Sequence, residues 1–72
     1  MEIETLRLVK EKIGYFAVEL YTNGTLNARI SDVTQIKVHC RHINGVWQFA
    51  IKNGGYTISI FAQRFEFVDE SQ

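Results

Sequence analysis

Proline is absent from this sequence, cysteine occurs once, and positive and negative charges cancel. A single cysteine cannot form a disulfide within the chain, so Cys40 is expected to be a buried thiol in a reducing or redox-indifferent compartment. A net charge of zero produces no overall field that would draw the protein to nucleic acid or to a membrane surface. These scarcities exclude a disulfide scaffold and a uniformly basic protein.

Long hydrophobic runs are absent as well. No segment approaches the length of a membrane span, and the first residues lack the apolar stretch of a signal peptide. The 72 residues have room for one domain, residues 1–72, in which the polar tail 69–72 is expected to fray. We therefore expect a cytoplasmic domain without a membrane partner.

The sequence is rich in alternating apolar residues, which is the pattern of β-strands with one buried face. The pattern is clearest between residues 36 and 60, where Asn44-Gly45 and Gly54-Gly55 supply the positive φ angles of two-residue hairpin turns. Such turns determine which residues of the flanking strands lie opposite each other. The predicted pairs are Cys40 with Phe49, Val38 with Ile51, Ile51 with Ile58, and Phe49 with Ile60.

The first thirty residues contain two further turns. The N-terminal segment fits a strand better than a short helix, its alternative, because Lys12-Ile13-Gly14 can then close a three-residue hairpin loop. Thr22-Asn23-Gly24 is expected to form a similar loop, followed by a glycine-free connection at residues 31–34. The predicted pairs here are Leu8 with Val18, Leu6 with Leu20, Leu20 with Leu26, Val18 with Ala28, and Phe16 with Ile30.

The alternation changes phase after Ile60. Phe65 and Phe67 fall on the opposite parity from the apolar residues that precede them. A bulge or sharp bend near Gln63-Arg64 is therefore expected to return both rings to the interior.

The pattern as a whole predicts an all-β fold, a meander of about six antiparallel strands with one apolar face. Because no helix is predicted to cover that face, the sheet is expected to curl into a small, monomeric barrel. The alternative is a homodimer in which two sheets pack face to face. The predicted inner face consists of Leu6, Leu8, Phe16, Val18, Leu20, Leu26, Ala28, Ile30, Ile36, Val38, Cys40, Trp47, Phe49, Ile51, Ile58 and Ile60.

The outer face of the later strands is the predicted binding surface, because its basic residues have no acid among them. Arg29 and Lys37, and likewise Lys37 and Lys52, are predicted to be cross-strand neighbours, and like charges side by side cost stability. An anionic partner would offset that cost, whereas the alternative is an ordinary solvated face. The predicted partner-binding residues are Arg29, Lys37, His39, Arg41, Lys52, Gln48 and Tyr21.

Catalysis and metal binding are not predicted. Of His39, Cys40 and His42, only Cys40 and His42 share a side of a strand, which is too few ligands for a zinc site. Burial of Cys40 opposite Phe49 would raise the pKa of its thiol, which disfavours a nucleophile. We therefore expect no enzyme activity, no metal and no cofactor.

Residues 18–32, VELYTNGTLNARISD, resemble the first motif of Sm-like RNA-binding proteins, with Gly24, Leu26, Ile30 and Asp32 at comparable places. The resemblance covers about a fifth of the chain and would imply RNA binding. Ala28 stands where the motif usually has glycine, and a counterpart of the second motif is missing. No family and no residue roles are therefore inferred from it.

Two functions are compatible with these features. The first is a small non-enzymatic protein-binding module, such as an inhibitor or adaptor of the kind that phages or mobile elements encode. The alternative is a nucleic-acid-binding barrel that uses the basic outer face of strands three to five. Small size, balanced charge and the lack of a catalytic constellation favour the first, with another protein as the expected partner and nucleic acid or an acidic protein surface as the alternatives.

Overall fold

Strands of alternating hydrophobicity, joined by tight turns, build the whole fold. A computed structural model describes residues 2–43 and 45–69, including their side chains except those at positions 2, 40–43 and 69. The described residues contain no helix, and therefore none that could cross a membrane, so the N-terminal segment is a strand as predicted. The five strands are β1 (Glu2–Lys12), β2 (Tyr15–Thr22), β3 (Thr25–Ile43), β4 (Val46–Asn53) and β5 (Tyr56–Asp69).

The strands close into a barrel in chain order, β1-β2-β3-β4-β5. Neighbouring strands are antiparallel except β1 and β5, which are parallel from the pair Glu2 and Phe61 to the pair Lys10 and Asp69. A meander with an odd number of strands ends in the direction in which it began, so the pair that closes the ring has to be parallel. The predicted all-β barrel is confirmed, with five strands in place of six.

Strand β3 accounts for the difference in strand number. Residues 31–34, predicted as a connection, belong to this long strand, which bends at Asp32 with a φ of 57°. Aspartate tolerates the left-handed region better than most residues do. Just beyond the bend, Val33 pairs with Phe16 of β2 and with Asn53 of β4. The bend thus transfers β3 from one neighbour to the other and forms a corner of the barrel.

Two hairpins have the predicted register. Between β1 and β2, the extra residue that the prediction placed in the loop is instead a bulge at Glu11. The turn at Ile13-Gly14 therefore has two residues rather than the predicted three. Gly14 has the expected positive φ, at 83°. The confirmed pairs are Leu6 with Leu20, Leu8 with Val18, Ile51 with Ile58, and Phe49 with Ile60.

The hairpin between β2 and β3 differs from the prediction. Asn23 and Gly24 form a two-residue turn, with φ values of 53° and 76°, where a three-residue loop was predicted. A two-residue turn alone would set apolar residues against polar ones. An extra residue at Asn27 restores apolar pairing further along. The observed pairs are Leu20 with Ala28, Val18 with Ile30 and Phe16 with Val33, in place of the predicted Leu20 with Leu26, Val18 with Ala28 and Phe16 with Ile30.

The register between β3 and β4 is also shifted. Phe49 lies opposite Val38, and Ile51 lies opposite Ile36, so the predicted pairs of Phe49 with Cys40 and of Ile51 with Val38 are wrong by two residues. The offset changes between residues 39 and 43, close to the turn. A shift of two residues moves no side chain to the other face of the sheet, although Val38 remains 42% exposed.

The interior of the barrel is close to the predicted inner face. Trp47 and six other predicted residues pack half-buried against the fully buried cluster, and the Cys40 side chain lies outside the described residues. The largest fully buried side chains are Phe49, Leu6, Leu20, Ile51, Ile60, Val18 and Val33.

Seven described side chains depart from the predicted inner face, and two of them, Val9 and Ala17, are buried although neither was predicted there. Ile3, Val33 and Ala62 belong to the buried cluster although the alternation did not place them there. Leu26 and Val38 were predicted inside but are 47% and 42% exposed. The exposure of Leu26 follows from the extra residue in β3, which moves this side chain out of the apolar rows. Val33 turns inward because the bend in β3 changes which side chains of the strand face the interior.

The last part of β5 turns two rings towards the core. The Phe65 ring lies 5.2 Å from the Phe49 ring, and the Phe67 ring lies 6.5 Å from the Phe16 ring, measured between centroids. The pairing of β1 with β5 has the same offset before and after Gln63. The change of face near Gln63-Arg64 therefore involves no bulge against β1. The return to the interior is partial, since Phe65 and Phe67 remain 42% and 55% exposed. Of the predicted frayed tail 69–72, Asp69 instead belongs to β5 and pairs with Lys10, and residues 70–72 lie outside the described part of the chain.

Candidate functional site

Strands β3, β4 and β5 present a regular grid of side chains to solvent. Phe49, Ile51 and Ile60, which alternate with them, are fully buried, so the period of two directs the grid outward. Each row contains one residue of β3, one of β4 and one of β5, and together the nine residues are called the basic face. The rows are Gln35-Lys52-Thr57, Lys37-Ala50-Ser59 and His39-Gln48-Phe61.

The middle of the basic face is a shallow depression of about 280 Å³. Ala50 occupies the central position, and its small side chain leaves the floor of the depression low between longer neighbours. Next to it, Gln48 Nε2 donates a hydrogen bond of 3.3 Å to Ser59 Oγ. The depression is lined by Gln35, Lys37, His39, Ala50, Lys52 and Thr57.

Positive charge is not neutralised within the basic face. Its nine residues include two lysines and one histidine but no acid, and among the described residues neither lysine forms an ion pair. Lys37 lies opposite Ala50 and Lys52 opposite Gln35, so the predicted direct pairing of the two lysines is wrong. They are diagonal neighbours, a relation in which long side chains are still within reach of each other.

Arg29 does not belong to the basic face. Its guanidinium is 2.7 Å from Glu11 and 3.4 Å from Glu19, and it donates a 3.0 Å hydrogen bond to Ser31 Oγ. The hydrogen bond to Glu11 is the main cause that raises the pKa of Arg29 above its usual value, and Glu19 adds to it. Arg29 and Lys37 both lie on β3, so the prediction that they are cross-strand neighbours is wrong.

A row of alternating charges crosses the other outer side of the barrel. Glu66 of β5, Arg7 of β1, Glu19 of β2 and Arg29 of β3 are successive cross-strand neighbours, and they are called the charge row. Arg7 Nη1 lies 3.4 Å from Glu19 Oε1. Opposite charges in neighbouring positions stabilise a sheet. Arg7, Glu19 and Arg29 therefore lie in ion pairs within the chain.

Tyr21 lies on the side of the charge row and not on the basic face. Its hydroxyl donates a 2.9 Å hydrogen bond to Glu19 Oε1. It also lines a second depression, of about 350 Å³, in which both charge signs are present. That depression is lined by Glu4, Thr5, Arg7, Tyr21, Gly24, Arg64 and Glu66.

The predicted binding residues thus fall into three groups. Arg29 and Tyr21 are held in the charge network, and the side chain of Arg41 lies outside the described residues. Gln35 and Ala50 were missed, because only the observed offset between β3 and β4 shows that they line the depression. The structure brings together Lys37, His39, Lys52 and Gln48.

The side chains of the basic face are mainly hydrogen-bond donors. Ammonium groups, amide groups and hydroxyls surround the depression, and all of them can donate hydrogen bonds to an anionic oxygen. In the described part of the chain, no three His, Cys, Asp or Glu side chains converge as they would in a metal site.

Comparison with family models, curated proteins and solved structures finds no match for the chain.

Proposed function

We propose that the protein is a small non-enzymatic binding module that recognises an acidic surface of another protein through the basic face. The observation that supports this is a contrast between its two outer sides. Lys37 and Lys52 border one depression without a carboxylate, whereas Arg7 and Arg29 in the charge row lie beside carboxylates. Neighbouring ammonium groups repel each other, and an acidic partner relieves that repulsion.

The shape of the surface supports a role as an inhibitor or adaptor. The depression of about 280 Å³ lies on the outer side of a sheet and is smaller than most small-molecule pockets, which suits contact with a protein surface better than enclosure of a small substrate. Binding would occupy part of the partner and either block it or bring it to a second protein. A chain with one cysteine is compatible with a reducing compartment such as the cytoplasm.

A second candidate function is binding of single-stranded nucleic acid. It is favoured by Phe61, which stands in one row with Gln48 and His39 and is 37% exposed. Exposed aromatic rings beside basic side chains can stack on bases. Two lysines neutralise few phosphates, so the expected loss of affinity with salt is shallow, about one to two decades per decade of salt.

The test of the proposed function is a pull-down from a lysate of the source organism with three immobilised proteins. These are the wild type, Lys37→Glu, and Lys12→Glu as a control with the same charge change. Lys12 stands 4.8 Å from the Tyr15 ring, away from the basic face. We expect a partner that the wild type and Lys12→Glu retain and that Lys37→Glu loses.

Two results would decide against this proposal. A partner retained equally by Lys37→Glu and by a Lys37→Glu/Lys52→Glu double variant would show that the basic face does not make the contact. Binding of labelled single-stranded oligonucleotides, lost in Lys37→Glu and in Phe61→Ala, would instead support the nucleic-acid function. Lys12→Glu again serves as the matched control.

A further inference from the structure

The second half of β5 has a neighbouring strand on one side only. Among the described residues, those from Arg64 to Asp69 pair with β1 alone, because the pairing of β4 with β5 ends at Ala62. The backbone N–H and C=O groups on the far edge form a template for a further strand. Phe65 and Phe67 keep a large exposed fraction beside this edge. Among the described residues, the far edge of this part of β5 is therefore open for pairing.

The charges along this edge favour one register for antiparallel pairing with the same edge of a second copy. In antiparallel pairing about a two-fold axis, one residue faces itself and its neighbours face each other. An axis at Arg64 or at Glu66 sets two like charges opposite each other, and an axis at Phe67 sets Phe65 opposite Asp69. An axis at Phe65 places Arg64 opposite Glu66 of the second copy, twice.

We propose that β5 pairs with β5 of a second copy in this register, centred on Phe65. The pairing spans Gln63–Phe67, which is the part of β5 that β4 leaves open. Arg64 and Glu66 line the same depression, so both point outward, and Arg64 of the second copy extends the charge row by one more alternating charge. The two Phe65 rings come together and lose contact with water.

This contact makes a weak dimer, because one short strand pair buries less surface than a standard interface. None of the residues 63–67 belongs to the basic face, so this contact is independent of the proposed binding function. It also differs from face-to-face packing of two sheets, since the barrel interior is already filled.

The test is sedimentation velocity of the full chain between ~10 µM and ~1 mM, the range in which a weak interface populates a dimer. The wild type is expected to dimerise as concentration rises. Arg64→Glu and Glu66→Arg each create two like-charge contacts at the axis, and each alone is expected to weaken dimerisation by about tenfold or more. In a one-to-one mixture of these two variants, both contacts join opposite charges, so dimerisation is expected to return.

The mixture separates this interface from a folding defect, because it contains the same two proteins that fail to pair alone. Lys37→Glu is the control variant and is expected to dimerise as the wild type does. A wild type that stays monomeric at ~1 mM overturns the proposal. So does a mixture that stays monomeric, or a dimer that neither variant weakens, which would indicate contact through another surface.

Discussion

Arg29 on β3 reaches across β2 to Glu11 on β1, with Arg29 Nη2 2.7 Å from Glu11 Oε2. The contact places this arginine in a network with Glu19 and not with Lys37 or Lys52. The cations assigned to the basic face form no ion pair among the described residues. That distinction divides the cations of this protein into a structural set and a set available for recognition.

Arg29→Ala is expected to lower the melting temperature and to leave partner binding unchanged, because it removes contacts to Glu11 and Glu19 but none from the basic face. The raised pKa of Arg29 means that this contribution is present at neutral pH and is lost as pH rises through that pKa. Thermal melting and the pull-down measure the two effects. Lost binding in a variant that is still folded would place Arg29 in the recognition surface.

Lys37→Glu/Lys52→Glu is expected to leave the free energy of unfolding within about 0.5 kcal/mol of the wild type, or slightly above it. Both side chains are exposed, and the change replaces one pair of like charges by another. Denaturant unfolding followed by tryptophan fluorescence measures the difference. A loss of more than about 2 kcal/mol would mean that these lysines have structural partners.

Phe49→Ala is expected to destabilise the fold by about 3–5 kcal/mol, since its ring is fully buried and touches Phe65. That is a large part of the stability of so small a domain. Phe61→Ala, which removes an aromatic ring from the basic face, is the control and is expected to cost much less. Trp47→Ala is expected to lie between them, because Trp47 is half-buried. Equal losses for Phe49 and Phe61 would contradict the assignment of the two faces.

Asp32→Val is expected to cost about 1–2 kcal/mol, because a β-branched residue is strained at the left-handed φ of 57° where β3 bends. Asp32→Gly is expected to cost less, since glycine adopts this φ freely. Thr34→Val, an exposed position in the same strand, controls for the added apolar group. Urea unfolding of the three variants compares them, and equal values for Val and Gly at position 32 would argue against a strained corner.

Alternation and turn chemistry were sufficient to predict the fold class and the face of most side chains. The period of two requires a strand with a buried side, and glycines at turn positions mark where each strand ends. These local signals correctly placed Ile51 opposite Ile58 and grouped Lys37 with His39 and Lys52. They also predicted Leu6 opposite Leu20, although the extra residue of this hairpin lies in a bulge at Glu11 rather than in the loop.

The offsets between strands could not be obtained in this way. A strand that slides by two residues keeps every side chain on the same face, so alternation is satisfied by Val38 opposite Ile51 and equally by Val38 opposite Phe49. Closure of the ring, the bend at Asp32 and the packing around Phe49 select one offset. These contacts join residues far apart in the chain, and no local pattern encodes them. For the same reason, the pairing of Arg29 with Glu11, which removes it from the basic face, exists only once β1, β2 and β3 lie side by side.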